Sequence, residues 1–129
     1  MGPPVKKIIF TPEAPKPLGP YSQGVMVDGT LYISGQLGID PETSNFVGGG
    51  ADAQCRQALK NIGGILKAAG GNFEHVVKAT VFLANMADWP AVNSVYAEFF
   101  PKNCPARSAL QVGALPKNAL VEIEAIAHL

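Results

Sequence analysis

The sequence predicts an α+β domain, and three observations carry that prediction. Stretches of period-two alternation, the mark of half-buried strands, stand near both ends and in the middle of the chain. Two stretches with apolar residues at three- and four-residue steps, the mark of amphipathic helices, lie between them. The resulting order is strand, hairpin, helix, strand, helix, strand, strand. That makes a mixed sheet of about six strands, and two helices can cover only one face of it.

Lys7-Ile8-Ile9-Phe10 reads as a short first strand after a frayed start. Thr11 to Pro20 holds four prolines and one glycine, so it is a stiff extended loop and not a helix. Tyr21 follows directly, where a loop rim would place its phenol; a packed aromatic with a satisfied hydroxyl is the plainer alternative. Val25-Met26-Val27 and Leu31-Tyr32-Ile33 flank Asp28-Gly29, whose glycine accepts the positive φ of a two-residue hairpin turn. Ser34-Gly35-Gln36 ends the second hairpin strand. A glycine there marks a bulge, or a place where another backbone or a ligand comes close.

Asp40 to Gly50 is loop. Its triple glycine, Gly48-Gly49-Gly50, lacks the Gly-Lys-Ser/Thr ending of a phosphate loop. From Ala51 to Ala69 the apolar positions Cys55, Ala58, Leu59, Ile62, Ile65 and Leu66 follow helical spacing, with Asp52 in the first turn and Gly70-Gly71 as the stop. The pair Gly63-Gly64 predicts a close crossing of this helix over the sheet. Val76 to Ala84 alternates, with Val77, Ala79, Val81 and Leu83 on one face. Asp88-Trp89-Pro90 is a helix start with Asp88 as N-cap, and the helix runs to about Phe100. Its buried arc is Trp89, Val92, Val95, Tyr96 and Phe99. Asn93 borders that arc, solvated or reaching a pocket.

The closing stretch alternates twice. In the first strand Ala106, Ser108, Leu110 and Val112 share one face and Arg107, Ala109 and Gln111 the other. In the second, Val121, Ile123, Ala125, Ala127 and Leu129 form the apolar face, opposite Glu122, Glu124, Ile126 and His128. Arg107 and the two carboxylates are thus expected together on the uncovered face. An ordinary cross-strand ion pair, worth about 0.2–1 kcal/mol, is the plain reading. That uncovered face also carries Thr80, Phe82 and Ile126 beside Lys78, a mixture closer to a protein interface than to a wet surface.

At 129 residues the chain, 1–129, is a single domain. Ten basic and ten acidic residues balance, and the basic ones are scattered, which argues against a nucleic-acid grip. Apolar residues make up 47% against 16% charged, so some surface is expected to be hidden against copies of the chain. Cys55 falls in the helix stripe, and Cys104 has no neighbouring histidine to activate it. His75 and His128 are too few and too distant in sequence to suggest a metal site. No run approaches a membrane span and no secretory h-region opens the chain. Cytoplasmic is therefore the default. Ala127-His128-Leu129 loosely resembles a peroxisomal address, and a mitochondrial location stays open too.

Several segments carry a resemblance across the chain. They are Gly19-Pro20-Tyr21-Ser22-Gln23-Gly24, Ile33-Ser34-Gly35-Gln36, Val77-Lys78-Ala79-Thr80-Val81-Phe82-Leu83, Val92-Asn93-Ser94-Val95-Tyr96, Cys104-Pro105-Ala106-Arg107-Ser108, Leu115-Pro116-Lys117 and the terminal Val121-Glu122-Ile123-Glu124-Ala125-Ile126-Ala127. Together they resemble the RidA (YjgF) family of reactive-imine deaminases from about Ile8 to Ala127. The resemblance implies a chorismate-mutase-like two-layer fold, assembled as a barrel-like homotrimer with sites between subunits. It implies hydrolysis of 2-imino acids to 2-keto acids and ammonia, with small imino and keto acids as partners and no cofactor. By similarity Arg107 grips the substrate carboxylate and Glu124 positions the water. Tyr21, Ser34, Gly35 and Asn93 line the pocket, and the carbonyl of Ala109 is a second acceptor. Many relatives carry cysteine at the Ala109 position, so any role for that thiol is absent here. A ribonuclease that inhibits translation, and a non-catalytic keto-acid sensor or chaperone-like partner, are the alternative readings.

Overall fold

The computed structural model describes residues 2–129. Six strands, β1 (Lys7–Ile9), β2 (Gly24–Val27), β3 (Thr30–Leu37), β4 (Val76–Leu83), β5 (Ala106–Gln111) and β6 (Val121–His128), form one sheet in the order β1-β2-β3-β6-β4-β5. Every neighbour pair is antiparallel except β4 and β5. The helices α1 (Ala51–Ala68) and α2 (Trp89–Phe99) are the connections into and out of β4, and α2 is the crossover that parallel pairing of β4 with β5 requires. The expected α+β sheet with two helices is therefore what forms.

The hairpin turn follows its residues. Asp28 and Gly29 have φ of 48° and 81°, the two positive values of a type I′ turn. Helix α1 buries Cys55, Ala58, Leu59, Ile62, Ile65 and Leu66 against Leu31, Ile33, Val81, Val121, Ile123 and Ala125 of the sheet. Helix α2 adds Val92, Val95 and Tyr96. Burial pushes the Cys55 thiol up to about 12, so it is an inert part of this core.

Three local expectations are corrected. The close approach of α1 to the sheet is not at Gly63-Gly64: a Cβ on Gly64 would meet the backbone of Glu13 at 3.0 Å, in the proline loop. The tight crossing is at Gly38, whose missing Cβ leaves room for the backbone of Gln54. Asp88 makes no side-chain cap, because a 3-10 turn (Met86–Asp88) precedes α2 and is capped by Asn85, whose Oδ1 accepts from the Ala87 amide at 2.9 Å. In β4 the register shifts between Val76 and Lys78, which turns Val76 inward and leaves Val77 half exposed.

The largest correction concerns β5. Arg107 pairs with Ala79, Ala109 with Val81 and Gln111 with Leu83, and those three β4 residues are buried under the helices. Arg107, Ala109 and Gln111 therefore lie on the helix side, while Glu124, paired with Thr80, lies on the uncovered side. The two do not share a face. Alternation in β5 could not decide this, since both of its faces carry small or apolar residues; the pairing with β4 decides it.

The uncovered face carries a register row of Ile8, Val25, Tyr32, Ile126, Lys78 and Ala106. Ile8 and Tyr32 are 56% and 51% exposed, and Leu110, two rows along the same face, is 41%. Such an apolar sheet face suits contact with another protein surface. No helix among the described residues is long and apolar enough to cross a membrane.

Candidate active site

Polar groups gather in two separate places. The first is a cavity of about 640 Å³ on the uncovered side, between the proline loop and the Pro116-Lys117 turn. Its floor is made by β3 and β6. Ile33 pairs with Ala125 and Gln36 with Ile123, so Ser34 and Gly35 together face the single residue Glu124. This is a β-bulge, and it releases the bulged backbone from the ladder. The Ser34 amide donates to the Gln23 carbonyl at 2.9 Å, and Ser34 Oγ donates to the Ser22 carbonyl at 2.5 Å. Tyr21 stands at the rim, 53% exposed.

Gly35 has a reason to be glycine. A Cβ there would lie 2.5 Å from Glu122 Oε2, so the absence of a side chain is what admits the carboxylate. Glu122 is half-buried, and its pKa is raised first by that burial and then by the charge of Glu124. Glu124 itself is exposed at the same cavity. The positive φ of Lys117 (56°) and Asn118 (58°) bends the turn that forms the opposite wall.

The second place is the β5 edge beside α2. Here the Arg107 carbon Cζ lies 4.7 Å from the Trp89 ring centroid and 4.8 Å from that of Tyr96. Its Nη1 donates to Asn93 Oδ1 at 2.8 Å. Two aromatic rings and one amide thus fix a planar cation without neutralising it. Among the described residues Arg107 makes no ion pair. Burial pushes the Tyr96 phenol up to about 12 against the lowering effect of Arg107, so this wall of the arginine is uncharged. Cys104 lines the same 310 Å³ hollow, with its thiol donating to the Phe100 carbonyl at 3.3 Å.

Of the residues singled out from sequence, Tyr21, Ser34, Gly35 and Glu124 come together in the first place, and Asn93 and Arg107 in the second. Ala109 lines neither cavity. Glu122 is the functional candidate that sequence reasoning missed. It shares a strand face with Glu124, and only the packing against Gly35 separates the two.

The sheet, the bulge and the stacked arginine define a small α+β protein with a carboxylate-lined cleft and, among the described residues, an arginine without an ion pair. The chain belongs to the family described as endoribonuclease L-PSP, which matches residues 11–129. It is 58% identical over 123 residues to the 2-iminobutanoate/2-iminopropanoate deaminase of Capra hircus, covering 95% of this chain and 90% of that one. The protein of the same name in Homo sapiens is 53% identical over the same length, with the same coverage. Among solved structures, RidA from an Antarctic Psychrobacter matches with a TM-score of 0.92 and 46% identity, covering 95% and 99% of the two chains. Escherichia coli TdcF with bound serine matches with a TM-score of 0.91 and 39% identity over 95% and 98%. The resemblance to the RidA (YjgF) proteins is thereby borne out.

Proposed function

We propose that this chain hydrolyses 2-imino acids. Water adds to the C=N carbon of R–C(=NH2+)–COO−, the C–N bond of the resulting carbinolamine breaks, and a 2-keto acid and ammonium leave. The single observation that carries this reading is the deaminase name shared by mammalian relatives more than half identical over 95% of the chain. The geometry suits it. A 2-imino acid offers a planar carboxylate, and the Arg107 fork is a matching bidentate donor with no carboxylate already on it. The serine bound in TdcF is also a small 2-substituted carboxylic acid.

Glu122 is the group we assign to the water. A carboxylate with a raised pKa can take a proton from the attacking water and return it to the departing nitrogen. Glu124, the residue first expected in that role, supplies charge beside it. Ser34 and Gly35 shape the floor beside it, Tyr21 stands at the rim, and Asn93 aims the arginine.

Within one chain these groups cannot meet on one substrate. Strand β5 lies two strands from β6, about 10 Å across the sheet, and Arg107 projects from the other face. We therefore propose a closed homotrimer in which the β5 edge of one copy brings Arg107 to the Glu122 cavity of the next. The exposed Ile8, Tyr32 and Leu110 on the uncovered face support such burial.

The family description favours a second reading, cleavage of RNA. One experiment addresses both. The purified protein is coupled to a dehydratase that releases 2-iminobutanoate, and ammonia release is timed; the same preparation is given single-stranded RNA. Acceleration of imine hydrolysis with intact RNA is expected. RNA cleavage that persists when the imine activity is absent would reverse the assignment.

A further inference from the structure

Gln23 is 1% exposed and lies outside the cavity, yet its side chain touches the loop that walls it. Its Oε1 accepts from the Thr11 amide at 2.7 Å. Its Nε2 donates to the carbonyls of Thr11 at 3.0 Å, Ala14 at 3.2 Å and Pro15 at 2.9 Å. The loop needs such a partner. Pro12, Pro15, Pro17 and Pro20 supply no N–H groups, so its own backbone is short of donors for carbonyls turned inward. A primary amide is the side chain that gives one acceptor and two donors at a single point. The main chain of the same residue accepts from the Ser34 amide at 2.9 Å, at the bulge that forms the cavity floor.

One residue therefore ties the wall to the floor. From this we infer that Gln23 is a positioning residue for imine hydrolysis: its carboxamide holds the Pro15–Gly19 wall and the Tyr21 phenol at a fixed height over Ser34 and Gly35. This rests on the deaminase reading above. Gln23 does not touch substrate; it acts through the loop and through Tyr21, two residues before it.

The test uses two variants of the full chain, Gln23→Glu and Gln23→Met. Gln23→Glu keeps the acceptor for Thr11 but turns oxygen lone pairs towards three carbonyls. Gln23→Met keeps the volume and removes both functions. Amide hydrogen exchange is followed by mass spectrometry, and kcat/KM for enzymatically generated 2-iminobutanoate is measured alone and in a Tyr21→Ala background. The expected result is faster exchange confined to residues 11–22 and a loss of about tenfold or more in kcat/KM. That loss should shrink to less than about twofold once Tyr21 is already alanine. An equal loss in both backgrounds, unchanged exchange in the loop, or failure of both variants to fold would each overturn the inference. If the wild-type protein turns over no imine, the deaminase reading fails, while the exchange comparison still decides whether Gln23 holds the loop.

Discussion

The cavity around Gly35 and the guanidinium of Arg107 are polar sites on one sheet, yet they are held in different ways. The cavity is shaped by backbone: a bulge in β3, a proline loop tied down by a buried amide, and a glycine that makes room for Glu122. Arg107 is exposed on an edge strand and owes its aim to side chains of one helix, Trp89, Asn93 and Tyr96. A backbone-built site tolerates little change in shape, whereas a side-chain-held cation tolerates little change in chemistry. The division is what the proposed trimer would use, with half a site at each of two surfaces to be completed by association.

The sharpest way to break this comparison is at Arg107. Arg107→Lys keeps the charge but loses the fork and the stacking, and we expect kcat/KM to fall nearly as far as in Arg107→Ala, by about 2–5 kcal/mol in transition-state binding. The thermal midpoint should hardly move, because the side chain is exposed. A lysine variant working at the wild-type rate would remove Arg107 from the site. The same lesion tests the division between copies. Refolding Arg107→Ala together with Tyr21→Ala in equal amounts should restore roughly a quarter of the sites, the share of neighbouring pairs in a closed three-fold ring with both residues intact. No recovery after verified mixing places both residues in one chain's cleft.

At the other half the largest expected effect comes from Gly35→Ala. Its methyl would overlap Glu122 Oε2, so either the carboxylate or the bulge must move. We expect kcat to fall about tenfold to a hundredfold, with KM less affected. A crystal structure of the variant with Glu122 unmoved and activity intact would show that the close contact has no part in the chemistry.

How far this was legible without coordinates differs between the halves. The hairpin was readable because Asp28-Gly29 has few other conformations to adopt, and α1 because its apolar spacing spans 18 residues. The count of about six strands and the two covering helices follow from the order of such elements, but the place of β6 between β3 and β4 does not. The face of β5 was not readable. Ala106, Ser108 and Leu110 look as fit for burial as Ala109, and only the parallel register with Ala79, Val81 and Leu83 turns Arg107 towards α2. The choice between Glu122 and Glu124 was hidden for a related reason. They occupy equivalent positions in the alternation of β6, and the two-residue bulge at Ser34 and Gly35 in another strand decides which is pressed against Gly35. Period-two patterns give a face, not a neighbour.

Glu122 separates activity from stability. Its folded-state pKa is raised, so the protonated carboxyl suits the fold better than the ionised one. Its contribution to stability is fully present below the unfolded carboxylate pKa and is lost as pH rises through the raised folded value. Glu122→Gln should therefore lose most imine turnover while its thermal midpoint at neutral pH equals or exceeds that of the wild type. Equal midpoints in acid and a higher midpoint for the variant above the carboxylate range would complete the pattern. A marked loss of stability at neutral pH would instead make Glu122 a structural partner.

The smallest effect is expected at Glu124, and it probes how the carboxylates are coupled. Burial is the first cause of the raised Glu122 pKa and the charge of Glu124 the second. Removing that charge in Glu124→Gln leaves the burial in place, so the acidic limb of the kcat/KM profile should move to lower pH without vanishing. Turnover on the plateau should stay within a few-fold of wild type, since Glu124 is exposed and Glu122 still faces the cleft. Raising salt should shift the wild-type limb in the same direction by screening the exposed charge, and should leave the variant's limb where it is. If Glu124→Gln instead abolishes turnover at every pH while Glu122→Gln retains it, the water belongs to Glu124, and the contact with Gly35 merely packs the floor of the cavity.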